Sequence, residues 1–387
     1  MDFSHIGRSL SLEKCDLSQA TSLKLPIDHF FEFNGIKHYT DMDFTGTVFP
    51  AAELDFSNLK GGLILNSADM SRVTKLVLPP RLDIIVLDGT IMPACDLDLS
   101  HLKSVHLRSA DLSRVKKLTL PKEARYFDLA NAVLPACELD LSNLNHRNFV
   151  EALFDITGAD LSRVTKLTLP KNLKDCEFGS VKFPACELNL SSMSERFNLF
   201  GCDLSRVKKL ITPKSPFSVC LDQAKLPACE LDFSNVFSLV GLEGADLSRV
   251  TKITMPKTGA DVYADGTVFP ACDLNLSDLT TDLNFRDADM SRVTSLILPN
   301  TARRLFMEDA KFPACEVDFS NCKGRVDLTN ADLSRVTKLK LPKNKSQVIL
   351  DGAKLPKSYS LINATENLQN RIKGKSNVAN SNDTNER

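Results

Sequence analysis

The chain has no tryptophan and four tyrosines against 22 phenylalanines, so its aromatic residues are suited to filling an interior rather than dressing a surface. Histidine is scarce as well: the six, at 5, 29, 38, 101, 106 and 146, lie in the first 146 residues and share no repeated position. There is no HExxH, no GxSxG and no phosphate-cradling glycine loop, so the sequence offers no catalytic residue and no enzyme is expected. No stretch approaches the ~20 apolar residues of a membrane span. The opening MDFSHIGRS lacks the basic start and apolar core of a signal peptide. The expectation is a protein that is cytoplasmic as synthesised; export into a host cell without a cleaved signal peptide would leave no mark here. Lys plus Arg is 48 and Asp plus Glu is 49, a balance that favours neither nucleic acid nor membrane as a partner.

What the chain has instead is internal repetition, the mark of a solenoid. Leu97 to Glu138 contains two phrases, LDLSHLKSVHLRSADLSRVKK and LTLPKEARYFDLANAVLPACE, and the pair recurs with small changes from end to end. An eight-residue frame, φ-x-L-x-x-a-x-L, begins at Leu10, Met42, Leu63, Ile85, Val105, Phe127, Phe154, Cys176, Phe197, Val219, Val240, Val262, Leu283, Leu305, Val326 and Val348. These sixteen starts step by 20 to 22 residues, except for gaps of 32 after Leu10 and 27 after Phe127, where loops or a short helix are expected. The fold class expected is mainly β: an elongated solenoid of about sixteen coils, paired into units of 42–43 residues, with a stacking length of roughly 75 Å at ~4.8 Å per coil. Residues 1–9 form an N-terminal cap segment, 10–356 the solenoid, and 357–387 a polar tail whose composition predicts disorder.

The LxLxxAxL frame resembles a leucine-rich repeat with a small residue where asparagine usually stands. Phrases such as VTKLTLPKNLKDCEFGSVKFPAC resemble the BspA-like class. A second resemblance, carried by ADLSR and TNADLS, is to a pentapeptide-repeat β-helix, although the apolar positions as a whole do not recur every five residues. The first likeness implies that the φ-x-L strand lines a concave, partner-binding surface, and that the protein is an interaction protein or effector of the kind found in host-associated bacteria.

Several repeated columns have structural explanations. Cys95, Cys137, Cys186, Cys229, Cys272 and Cys315 follow Pro-Ala once per two coils. At roughly 10 Å spacing they cannot bridge or share zinc, so they are expected to be small apolar core residues. Asp98, Asp140, Asp232 and Asp318 share another column, again too widely spaced to share calcium, so no metal or cofactor is assigned. On the return strand the residue before LxL alternates in sign, from Lys75 and Asp96 to Lys338 with Ser295 as the exception, which predicts charge contacts above and below that fix register. The near-identical DLSRV phrase, from Asp69/Arg72 to Asp332/Arg335, reads as a repeated corner in which Asp and Ser bond backbone amides.

A binding surface must differ from coil to coil, and only the φ-x-L-x strand does so. Its two outward columns hold twelve acidic residues and two arginines among 32 positions. Candidate partner-binding residues are His106, Arg108, Asp128, Asp155, Glu177, Phe200, Asp222, Glu243, Tyr263, Asp265, Phe306 and Glu308. An acidic face with a few aromatic anchors fits a protein partner bearing a basic segment, not a small-molecule substrate. The function expected is a non-enzymatic interaction scaffold; the alternative is a structural β-helix spacer or assembly element with no specific binding trough.

Overall fold

The computed structural model describes residues 1–6, 10–25, 30–33, 36–39, 41–59, 61–80, 82, 84–121, 126–142, 154–169, 178–193, 196–257, 259–342 and 348–356. Among them every regular element is a β-strand, of two to four residues. The chain divides into two units, Met1–Ser192 with Cys202–Lys208, and Met193–Gly201 with Lys209–Arg387. In the first, strands at 42–43, 63–64, 84–86, 104–106, 126–128 and 154–155 form one sheet in sequence order. In the second, eight strands do the same, from Arg196–Asn198 to Val348–Ile349. All the neighbours in both sheets run parallel, with frame starts opposite each other, as in Ile85↔Val105 and Val219↔Val240. Leu10 lies beside the bridge Ser11↔Asp43. Cys176 falls outside the described residues.

The frame explains the coil. Val105, Leu107, Ala110 and Leu112 are fully buried and Val115 nearly so. Two side chains turn inward, a corner intervenes, and two more turn inward five residues on. Along this part of each coil the apolar spacing is therefore five; only the return leg, with Leu118, breaks it. Parallel pairing follows the frame strand, a line of bridges such as Ile91↔Asp111↔Val133, and the return strands. These ladders correct the leucine-rich-repeat expectation, which placed the strand on one side of the coil, and they favour the pentapeptide-like one. The corner depends on backbone conformation. The fifth residue of every frame has a positive φ between 55° and 71°, from Lys14 through Ser109, Asn131 and Gly158 to Gly352, and that left-handed turn is why the column is rich in glycine, asparagine and serine.

The sixth frame place, where an asparagine ladder was missing, holds a small residue that is buried except at the end coils, Cys15 and Ala353. Where it is polar it donates across the stack: the Thr90 hydroxyl to Leu65 O at 2.7 Å, Thr267 to Leu242 O at 2.6 Å, and the Cys202 thiol to Phe178 O at 2.6 Å. Phenylalanines fill the interior as expected, with Phe44, Phe178, Phe269 and Phe285 wholly buried.

Three expectations need correction. In the 32-residue gap, where loops or a short helix were expected, the described residues Phe30–Phe33 and Ile36–Tyr39 pair as an antiparallel hairpin. The signal was the intervening Asn34-Gly35, a dipeptide strongly favoured between hairpin strands. The 27-residue gap lies largely outside the described residues, as does the tail 357–387. Second, the repeated cysteines are half-buried free thiols at the entry to the return strand, where burial pushes each thiol up, Cys229 to about 11; the core cysteines are Cys202 and Cys322. Third, the charge ladder is interrupted. Return strands pair within two-stranded sheets, so an acid meets lysine on one side only, as in Glu53–Lys75 at 3.4 Å, Glu138–Lys166 at 3.8 Å and Glu316–Lys338 at 3.3 Å, while Asp273 lies opposite Ser295.

Candidate functional site

The carboxylates must be sorted before any face can be called a site, because most of them hold the backbone. In each DLSR corner the aspartate Oδ1 accepts the amide of the serine two residues on, at 2.9–3.0 Å, from Asp69 to Asp332. The column of Asp98, Asp140, Asp232 and Asp318, with Asn189 and Asn275, does the same work, as does Asp55: each caps a serine amide at 2.8–3.0 Å. Asparagine can replace aspartate there because the task needs an acceptor, not a charge. Among the described residues no group of three His, Cys, Asp or Glu could hold a metal.

These caps make the fold acid-sensitive. The hydroxyl and then the amide of the serine two residues on hold Asp55, Asp140 and Asp332 below the ordinary carboxylate value. A folded pKa below the unfolded one means that the stabilisation is complete above the unfolded value, about 3.9, and is lost as pH falls through the folded value. The melting temperature should therefore hold from neutrality to about pH 4 and fall steeply below it. A flat profile down to pH 2 would remove the caps from the account.

The outward strand face carries the same device. Asp43, Asp128, Asp155 and Asp327 accept amides two residues on, and Asp88, Asp222 and Asp265 accept the amides of Arg108, Glu243 and Arg286 in the next coil. These seven acids of the face thus cap backbone.

In the first unit the candidates form one polar cluster. Asp128 is 2% exposed, which corrects its assignment as an outward binding residue. Its Oδ2 accepts from Arg108 Nη2 at 2.7 Å and from the Tyr126 hydroxyl at 3.1 Å. Arg108 also reaches Asp155 at 3.4 Å, and His106 stacks on Tyr126 with centroids 4.3 Å apart. This network ties neighbouring coils together. Glu177 lies outside the described residues.

The second unit is different. Its face brings together Phe200 and Tyr263, both exposed, with Asp222, Glu243 and Asp265 on successive coils and Glu308 two coils further on. Arg286 neutralises one end: it donates to Glu308 Oε1 at 3.2 Å and, with Arg304, covers the half-buried Phe306 ring at 4.4 and 5.3 Å. Phe306 is therefore a shielded ring and not the open anchor expected. Asp222, Glu243 and Asp265 are less well compensated. Burial and then the Asp222 and Asp265 charges push Glu243 up, and burial raises Asp265 despite the amide and charge of Arg286. The sequence showed these side chains as one column but missed Asn284, whose Nδ2 bonds Asp265 at 2.6 Å, and the Asp282–Arg304 pair. It also missed Phe217 and Phe237, exposed on adjacent coils, because they lie between frames.

The ladders define the class: a parallel β-solenoid. No family model matches the sequence, and no curated protein matches it. Among solved structures the chain is similar to HetL, a pentapeptide repeat protein involved in heterocyst differentiation regulation from the cyanobacterium Nostoc, at 16% identity, covering 94% of this chain and 89% of that one with a TM-score of 0.08. At that TM-score the folds do not superpose, and the class rests on this chain's own pairing. Among the described residues no helix is long and apolar enough to cross a membrane.

Proposed function

We propose that the protein is a non-enzymatic scaffold whose second unit binds a basic protein segment along the strand face of Phe200, Asp222, Glu243, Tyr263 and Asp265. The observation that carries this is the row Phe200, Asp222, Glu243 and Asp265 in one column of four successive coils, with Tyr263 exposed two residues before Asp265; burial and neighbouring charge push Glu243 and Asp265 up. Neighbouring carboxylates that repel each other in a partly desolvated place are relieved by a lysine or arginine between them, and Tyr263 and Phe200 give such a segment apolar contacts. Synthesis in the cytoplasm belongs to the same proposal, as does action as an effector in a host cell, which the resemblance to leucine-rich repeats alone implies.

The test is an array of Lys/Arg-rich and charge-neutral peptides probed with the wild type and with Glu243→Gln/Asp265→Asn, at low and moderate salt. Basic peptides should bind the wild type, weaken as salt rises, and bind the variant at least about tenfold more weakly, a loss of about 1.4 kcal/mol. Equal binding by both proteins would sink the assignment of this face. Silence across the array would favour the spacer reading.

A further inference from the structure

The corner arginines do something that the DLSRV phrase alone does not show. Arg163 Nη1 donates to Ser113 O at 2.8 Å and Arg206 to Ser162 O at 2.9 Å in the first unit, and Arg335 to Ser291 O at 3.1 Å in the second. Each bond reaches past the intervening coil to the corner two coils back. The bridge register Asp289↔Lys311↔Asp332 sets exposed Ala314 between Arg292 and Arg335, so the alanine of Pro-Ala-Cys leaves room for the arginine to pass. The return strands are grouped two coils at a time as well, and the Arg335 strap crosses the seam between two such groups. Glu316–Asp318 ladders with Lys338–Lys340 and Asp273–Asn275 with Ser295–Ile297. Among the described residues Ser295–Ile297 shares no ladder with Glu316–Asp318, nor Lys252–Thr254 with Asp273–Asn275. A groove of about 670 Å³, lined by Lys252, Thr254, Cys272 and Asp273, lies at the second of these seams.

From these contacts we infer that the mechanical unit of the solenoid is the pair of coils, and that the seams between pairs are where the stack opens. In a stack each coil is held by its neighbours, and here the arginine straps add one bond to the coil two back. The coil ending at Lys340 is held by the frame sheet, the Lys311↔Asp332 bridge, the return ladder with its two Lys340 ion pairs at 2.6 and 2.8 Å, and the Arg335 strap. Once it leaves, the coil before it keeps the frame sheet, a bridge to Asp289 and the partly exposed ion pairs Lys311–Asp289, Glu308–Arg286 and Arg304–Asp282, which add little each, but among the described residues it has no return ladder to the coil beneath it. The second coil is thus weaker than the one just removed, and it departs at the same force.

Stretching the full chain by its termini in an optical trap tests this. Release should come in contour-length steps of about 43 residues, the spacing of Asp246, Asp289 and Asp332, and Arg335→Ala should lower the force of one step while leaving its size unchanged. Steps of about 21 residues would overturn the inference. An Arg335→Ala trace with wild-type forces throughout would overturn the role of the strap, and circular dichroism of that variant establishes that it is folded before pulling.

Discussion

Phe285→Ala should lower the unfolding free energy by about 3–5 kcal/mol, the range for removing a large aromatic ring from a core that cannot close over the void. Phe285 is fully buried, and its ring stacks on Phe269 with centroids 5.6 Å apart and planes at 11°. Its amide bonds Phe306 O at 2.7 Å, which holds the backbone in place and prevents collapse into the cavity. Part of the loss is the aromatic pair itself, about 0.5–1.5 kcal/mol. Phe237→Ala, at a ring that is 68% exposed, removes a similar volume and should leave the urea midpoint almost unmoved. Equal midpoints for the two variants would mean that the interior is not packed as described.

Gly324→Ala should destabilise by a comparable amount for a different reason. A β-carbon at 324 would stand 2.0 Å from Arg303 O and 2.4 Å from Ala302 O, both backbone atoms of the preceding coil. Neither can turn aside as a side chain would, so the coils must separate at the Arg325–Arg303 bond of 3.1 Å. Overpacking of this kind costs about 1–3 kcal/mol and more where backbone is the obstacle. Gly179→Ala, whose β-carbon would meet nothing closer than Thr157 Cγ2 at 3.5 Å, is the control: it should be neutral or stabilising by about 0.4–1 kcal/mol through the unfolded chain. A Gly324→Ala protein that melts with the wild type would show that the coils do not approach as closely as they are drawn.

The sequence made the frame legible because burial has to repeat with the coil: Val105, Leu107, Ala110 and Leu112 could be placed inward from spacing alone, and the DLSR corner could be read as a cap from residue type. Ser109 and Asn131 are turn formers whose left-handed backbone is invisible until the corner is built. Asp128 looked like its exposed neighbours because one letter does not say that Arg108 and Tyr126 will close over it. Nothing in the sequence separates a capping carboxylate such as Asp232 from a poorly compensated one such as Glu243; only the amides and charges around them do. The arginine straps span 44 to 50 residues, a separation at which no local pattern in the chain announces a contact.

That division among the carboxylates supports the proposed face, and it can be read directly by carbon-detected NMR titration of the side-chain carboxyls in the full chain. Glu243 should titrate above the ordinary glutamate value of about 4.3 and Asp265 above about 3.9, while capping residues such as Asp55 and Asp140 titrate below 3.9. Glu243 and Asp265 titrating together with the caps, at or below their ordinary values, would mean that the face stores no repulsion for a basic partner to relieve, and the proposed site would fall.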